Sequence, residues 1–596
     1  MTRLLTFLRA YAARYWLWYL VGIAFLLLTN WLAVQIPLQV ARGVDGLRAS
    51  DLDAVGGAAL SIAIMGIGVI VTRTLSRGLI FTPGRMVEYR LRGDLFAHLL
   101  KLPRSFYDSW QVGDLVSRAS NDITFVRVLT GFGILQTFNV AAALSLTGAE
   151  MVRLSPTLTA LMLGPVLAAV LVVQLGTRSL FTLVRENQVQ LSALSDHILA
   201  SLQGVQTLQG FNAQEAFLER FAERNRAYME TKLKLARIQA LVLPLLALGG
   251  AGALYALLAA GGPMAVRGEL TVGELVAFTG LLTYLLMPLR SLGWLISVYQ
   301  RGMASLSRID ELLDAPVAKS GTEKPSGGRA GPTLSFEHLT FSYPTAEEGD
   351  APALRDVSFS VPSGSTLGVF GRTGSGKTTL LRLLTRTYEP PGGALTVDGV
   401  DLLELDLPAW RAQLAVVPQT PFLFSESIAD NITLDEPDPA RLQRSLERAA
   451  LAGEIERFPE GLDTVVGERG IMLSGGQRQR SALARALYRE GARLLILDDV
   501  LSAVDHRTEQ QIIASLESVA RGAGEASEGG PTVVVVSHRV SVLARCDAVL
   551  VLDEGRVVGF GSHEALRASP GPYRDAWEQA EAEPTGAAQA EPEVVA

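Results

Sequence analysis

The clearest chemistry in this chain lies in Gly371, Arg372, Thr373, Gly374, Ser375, Gly376, Lys377, Thr378 and Thr379. An apolar run at 367–370 leads into them and 380–384 follows, so the stretch reads as strand, glycine loop and helix, the context a phosphate-binding loop requires. Glycines at 371, 374 and 376 let successive backbone N–H groups turn towards one anion at the positive end of a helix. Lys377 is spaced to reach the β- and γ-phosphates, and the Thr378 hydroxyl to hold Mg²⁺. These residues imply binding of a nucleoside triphosphate.

Further candidates follow in order. Gln419 closes Val416-Val-Pro-Gln419 and presents an amide just after a strand. Ser474, Gly475, Gly476 and Gln477 stand at an expected helix start, a second anion-binding terminus apart from the first. The apolar run 494–497 ends in Asp498 and Asp499, the first placed for a metal shell and the second for orienting water. A valine run at 533–536 ends two residues before His538, which is within reach of a terminal phosphate.

The elements that must position these groups fall into two halves. At 596 residues the chain exceeds one core, and 48% hydrophobic against 19% charged residues leans towards a membrane protein. The net charge of −7 carries no nucleic-acid signal. Cys546 is the only cysteine, so no intrachain disulfide forms. Uncharged runs at 16–41, 54–72, 128–149, 154–177, 238–266 and 275–289 predict six membrane spans, since about 20 apolar residues cross the hydrocarbon core.

Basic residues crowd the segments between spans two and three and between spans four and five, which predicts that both, with both termini, are cytoplasmic. Each segment is too long for a simple connection, and apolar residues at helical spacing imply hairpins extending beyond the bilayer. Arg73, Arg77, Arg178 and Arg290 near inner span ends fit either snorkelling or a cavity lining; Glu150 and Glu274 near outer ends fit either a gate or interfacial exposure. The expected division is a membrane domain over 1–314, a linker over 315–332, an α/β P-loop nucleotide-binding domain over 333–580 and an acidic tail over 581–596.

Together these motifs resemble the ATP-binding cassette (ABC) family, and the chain is similar to a type IV exporter half-transporter over nearly its whole length. The resemblance implies ATP and Mg²⁺ as ligands. It makes Tyr343 the aromatic that stacks on adenine, residues 371–379 the Walker A loop, and Gln419 the Q-loop glutamine and a metal ligand. Ser474–Gln477 become the signature motif, Asp498 the Walker B aspartate with Thr378 on the metal, Ser502 and Asp505 part of the D-loop, and His538 the switch histidine. Residues 464–470 resemble the exporter loop before the signature, and 105–122 and 204–221 resemble its two coupling regions.

One position departs from the family pattern. The catalytic base there is usually Glu, and this chain has Asp499, one methylene shorter. Beside an intact signature, that resembles the degenerate-site subunit of heterodimeric multidrug exporters, including those of thermophilic bacteria. The implied protein sits in a bacterial inner membrane with a second half-transporter and exports hydrophobic or amphipathic solutes, without binding nucleic acid. A lipid flippase and a regulatory ATP-binding subunit with little hydrolysis are the alternative readings.

Overall fold

The computed structural model describes residues 2–328, 330–347, 349–434, 437–467, 472–501, 504–521 and 529–582, without the side chains of residues 2, 3, 170, 172–181, 239, 242, 243, 246 and 290. Two compact units emerge: Met1–Leu99 with Gly113–Asp314, and Leu100–Val112 with Ala315–Ala596.

The first unit is built from six long helices: α1 (Trp16–Ala49), α2 (Leu52–Leu99), α4 (Val112–Leu154), α5 (Pro156–Gln203), α7 (Gln214–Val266) and α8 (Val272–Leu313). Short helices α3 (Arg104–Ser109) and α6 (Val205–Gly210) interrupt the two longest connections. Five described stretches are long and apolar enough to cross a membrane, and α5 contributes a sixth apolar stretch, Pro156–Ala169. A helix of 48 residues such as α2 is about 72 Å long, more than twice a hydrocarbon core of about 30 Å, so these rods necessarily continue past the bilayer. Prolines inside them, such as Pro37 and Pro83, are tolerated because neighbouring helices re-satisfy the freed backbone groups.

Polar ties bind α8 to α1 and α4 along its length. Tyr284 donates to Asn30 at 2.8 Å, and Asn30 donates to Asn139 at 3.2 Å. Gln136 donates to Ser291 at 2.8 Å, and Thr137 meets Tyr299 at 3.1 Å. Further along, Asp122 accepts from Ser305 at 2.8 Å and from Arg308, while Arg118 pairs with Glu311 at 2.7 Å. Two π-helical turns of α4, at Arg118–Asp122 and Leu129–Gly133, fall within this stretch.

By contrast α5 and α7 pair chiefly with each other. A Cβ on Gly249 would stand 2.4 Å from the Ala169 Cβ, so only a residue without one allows this approach of the two helices. Towards the tip of the hairpin, His197 meets the Phe217 carbonyl at 3.1 Å and stacks on its ring. Beyond it Leu199, Leu202 and Phe211 are left exposed.

Two acidic residues at span ends have local work. Glu274 completes a capping box at the start of α8, accepting from Thr271 N at 2.8 Å while Thr271 Oγ1 accepts from Glu274 N at 3.0 Å. Glu150 pairs with Arg153 at 2.9 Å. Arg73 and Arg77 are exposed on α2, whereas the side chains of Arg178 and Arg290 lie outside the described residues.

The second unit holds two sheets. Strands β1 (Leu334–Phe341), β2 (Leu354–Val361), β4 (Leu395–Val397) and β5 (Val400–Asp401) form an antiparallel sheet in the order β2-β1-β4-β5. The larger sheet contains β3 (Thr366–Gly371), β6 (Leu414–Val417), β7 (Leu494–Asp498), β8 (Thr532–Val536), β9 (Ala548–Asp553) and β10 (Arg556–Gly561), in the order β10-β9-β3-β8-β7-β6. All its pairings are parallel except that of the edge strand β10. Near-continuous apolar runs suit this arrangement, because a parallel sheet buries both faces. β7 is buried at every position.

Segment Leu100–Val112 belongs by its contacts to this second unit, although in sequence it joins α2 to α4 of the other. Its Lys101 carbonyl accepts from Ala318 N at 3.1 Å, and Asp108 accepts from the Tyr388 hydroxyl. Of the sequence expectations, residues 468–470, Ser502 and 583–596 lie outside the described residues.

Candidate functional site

The strand order explains why distant motifs meet. β3, β8 and β7 are parallel neighbours, so their C-terminal ends share one edge of the sheet, where open α/β sheets bind ligands. The glycine loop leaves β3, His538 follows β8, and Asp498 ends β7. Helix α9 (Lys377–Leu384) starts directly from the loop.

A cavity of about 290 Å³ opens there. Thr373–Thr379, Tyr343, Gln419, Asp498, Asp499 and His538 line it, with Ala353 and Val536. The backbone of the loop is one that glycine alone adopts easily: φ is +85° at Gly374 and +99° at Gly376. A Cβ at Gly376 would also stand 2.7 Å from Leu354 Cδ2 and 2.8 Å from the Ala353 carbonyl.

Lys377 is buried and donates to the carbonyls of Gly371 at 2.7 Å and Arg372 at 2.8 Å, so the loop curls around its own ammonium. Burial lowers its pKa, with Asp498 and Asp499 opposing. The Thr378 hydroxyl lies 3.4 Å from Asp498 Oδ2. Burial raises the Asp498 pKa above the usual carboxylate value. Asp499 adopts φ +53°, a left-handed turn that Asp tolerates better than most residues, and its N–H donates to the Val536 carbonyl at 3.0 Å. Gln419 and His538 are exposed at the cavity rim.

Tyr343 stands just past β1. Its hydroxyl meets Thr379 Oγ1 at 2.9 Å, Arg382 donates to it at 3.2 Å, and its ring lies edge-on to Tyr388 with centroids 5.0 Å apart. Sequence reading missed Tyr388 and Arg382, whose positions follow from the fold and not from any spacing rule.

Two sets of predicted residues stand apart from the lining. Gly371 and Arg372 contribute carbonyls to Lys377 from behind the loop. Ser474, Gly475, Gly476 and Gln477 form the exposed or half-buried start of α10 (Gly475–Tyr488) and do not line the cavity. There Ser474 and Gln477 make a reciprocal capping box at 3.2 and 2.9 Å, and Gln477 Nε2 is held by Glu454 at 3.0 Å. The geometry therefore presents one phosphate-type cavity and, elsewhere, a separate glycine-rich helix start.

Comparison with known proteins gives the following likenesses. Residues 19–289 match the family "ABC transporter transmembrane region", and residues 354–502 match the family "ABC transporter". A probable multidrug resistance ABC transporter ATP-binding/permease protein of Bacillus subtilis, YheI, is 33% identical, covering 95% of each chain. The multidrug resistance-like ATP-binding protein MdlA of Escherichia coli is 34% identical over 96% of each. An ATP-dependent lipid A-core flippase of Photobacterium profundum is 34% identical over 82% of each. Among solved structures, a bacterial Atm1-family ABC exporter with ATP bound superposes with a TM-score of 0.77 at 27% identity, over 97% of this chain and 99% of that one.

Proposed function

The chain belongs to the ABC transporter family, and from that premise we propose that it is the weakly hydrolysing subunit of a heterodimeric exporter in a bacterial inner membrane. As a member it is an ATPase whose turnover drives transport across the membrane. The finer reading rests on one observation: Asp499 occupies the place of the family's usual Glu, while Ser474–Gln477 is intact and absent from the lining of this chain's own cavity.

In this reading the loop N–H groups and Lys377 bind the phosphates of ATP, exchanging the contacts that Lys377 makes with Gly371 and Arg372. Tyr343 supports the adenine ring. Asp499 and His538 face the terminal phosphate, where the shorter Asp499 side chain holds a water less well. Displacement by about 1 Å can cost about 10²-fold in rate. Ser474, Gly475, Gly476 and Gln477 clasp the partner's ATP, so the partner's site carries most of the turnover.

The donor set fits Mg²⁺. Thr378, Asp498 and Gln419 offer only oxygen ligands, as that hard cation prefers, and no cluster of three His, Cys, Asp or Glu side chains occurs among the described residues. Such a site suits a metal shared with phosphates. When bound, the ion supplies neutralisation of phosphate charge, and Thr378 and Asp498 are the groups that orient it.

The transported solute is hydrophobic or amphipathic, taken from the cytoplasmic side. Multidrug names among the relatives support drug-like cargo; the flippase name supports lipid as a second reading. The experiment is steady-state ATPase on the purified chain alone and on the complex it forms in its native host. The chain alone should be nearly inactive and the complex active. A fully active homodimer would refute the asymmetric assignment. Proteoliposomes loaded with a fluorescent cationic dye or a labelled lipid then separate the two cargo classes.

A further inference from the structure

We propose that Glu454 is a positioning residue for hydrolysis of the second subunit's ATP. It holds the Gln477 side chain in the one orientation that keeps the glycine-rich start of α10 ready for an anion. The proposal rests on the reading above, in which Ser474, Gly475, Gly476 and Gln477 clasp that ATP.

Glu454 stands on a short helix, Ala452–Ile455. Its neighbours Leu451 and Ile455 are buried in the same apolar cluster as Leu473, Ala482 and Leu483, so one core holds both this helix and α10. From there the carboxylate reaches two residues that stand three apart on one face of α10. Oε2 accepts from Gln477 Nε2 at 3.0 Å, and Oε1 accepts from Arg480 at 2.5 Å.

The chemistry of the flanking groups selects the orientation of the Gln477 amide. A carboxylate only accepts hydrogen bonds and a backbone N–H only donates them. Gln477 lies between one of each, with Glu454 on one side and the Ser474 N–H on the other. Only Nε2 towards Glu454 and Oε1 towards Ser474 satisfies both. The flipped amide would set oxygen against oxygen and N–H against N–H. In the satisfied state Oε1 accepts from Ser474 N at 2.9 Å, while Ser474 Oγ accepts from Gln477 N at 3.2 Å. That capping box uses the N–H groups of Ser474 and Gln477, so the donors this helix start presents to an anion are those of Gly475 and Gly476.

A lone carboxylate so close to the helix start would repel the same anion. Arg480 answers it: the guanidinium is buried at 6% exposure and paired with Glu454, so Glu454 orients the amide without adding net negative charge. Glu454 lies 23 residues before Gln477, outside every motif read from the sequence, and only the fold brings the two together.

The test is steady-state ATPase of the full complex in lipid nanodiscs, resolved into kcat and KM for ATP. Glu454→Ala alone would strand the buried Arg480 charge, so the comparison is made in an Arg480→Met background. Arg480→Met keeps the bond from Gln477 to Glu454, and its kcat should stay within about twofold of the parent. Adding Glu454→Ala removes that bond and should lower kcat about tenfold, the size of one hydrogen bond to a charged group. KM and affinity for a non-hydrolysable ATP analogue should shift by less than about twofold, because the phosphate loops that take up ATP are untouched. Adding Glu454→Gln instead keeps an acceptor oxygen for Gln477 and should hold kcat within about threefold. Arg480→Gln is the second background should Arg480→Met not assemble. Equal kcat with and without Glu454→Ala would overturn the proposal, as would a loss that Glu454→Gln fails to rescue. Ser474→Arg separates the two readings. If it leaves turnover intact, Ser474–Gln477 do not serve the second subunit's ATP and both readings fail. If it stops turnover while Glu454→Ala changes nothing, the role of Glu454 alone is wrong.

Discussion

The Thr378 hydroxyl and the Asp498 carboxylate, 120 residues apart in sequence, lie 3.4 Å from one another where α9 begins and β7 ends. That spacing is long for a hydroxyl–carboxylate hydrogen bond, so Asp498 is weakly satisfied while only 6% exposed. Burial dominates its raised pKa; Thr378 and Lys377 oppose, and Asp499 adds to it.

The pH consequence has a definite sign. Between the usual carboxylate value and the raised one, the folded chain holds a proton on Asp498 that the unfolded chain releases. Stability of the nucleotide-free protein therefore falls as pH rises through that window. Asp498→Asn removes the buried charge and should raise nucleotide-free stability on the order of 1 kcal/mol while abolishing Mg²⁺-dependent ATPase. Calorimetry without nucleotide, paired with an ATPase assay, checks both halves; a lower melting temperature would contradict the burial argument.

Gly376→Ala should be costly for a geometric reason. Its φ of +99° disfavours any Cβ, and that atom would meet Leu354 and Ala353 at under 3 Å. We expect a loss of about 1–3 kcal/mol and no measurable nucleotide binding. Equilibrium binding of a fluorescent ATP analogue and a thermal melt are the measurements; retained affinity would show that the loop can relax.

Asymmetry is tested at Asp499 and Ser474. Asp499→Asn should change steady-state turnover of the complex little, and Asp499→Glu should raise hydrolysis in this chain's site by about 10- to 100-fold. Ser474→Arg should remove most activity. Ser474→Ala serves as a control, since loss of the cap costs about 1 kcal/mol without filling the site. Turnover that collapses in Asp499→Asn but survives Ser474→Arg would reverse the assignment.

Topology is tested with two thiols in a Cys546→Ser background. Arg48 lies at the end of α1 before the first short turn, and Ser120 is exposed in α4. Arg48→Cys should be labelled by an impermeant maleimide in sealed cells and Ser120→Cys should not. The opposite pattern would invert the orientation.

Phe211 is 81% exposed at the end of the α5–α7 hairpin, so truncating it removes almost no buried surface of this chain. Phe211→Ala should shift stability by less than about 0.5 kcal/mol. Transport should nevertheless fall, since residues 204–221 resemble the family's second coupling region. Unchanged transport in proteoliposomes would mean that this ring transmits nothing.

Local rules wrote much of this protein into its sequence. Glycine at 374 and 376 is demanded by a turn of a few residues, and six apolar runs are demanded by the thickness of a bilayer, so both were legible without a fold. The same kind of local signal was present at Thr271-Val-Gly-Glu274, where the spacing of a capping box explains a glutamate otherwise open to a gating role. What the tertiary structure alone decided is which distant residues meet. The order β3-β8-β7 brings Thr378, His538 and Asp498 to one edge, and no periodicity encodes strand order. The bond from Tyr388 to Asp108 spans 280 residues and places Leu100–Val112 with the nucleotide-binding unit, against its position in the chain. Such pairings depend on how buried surfaces from separate segments fit together, and a linear pattern carries no record of that fit.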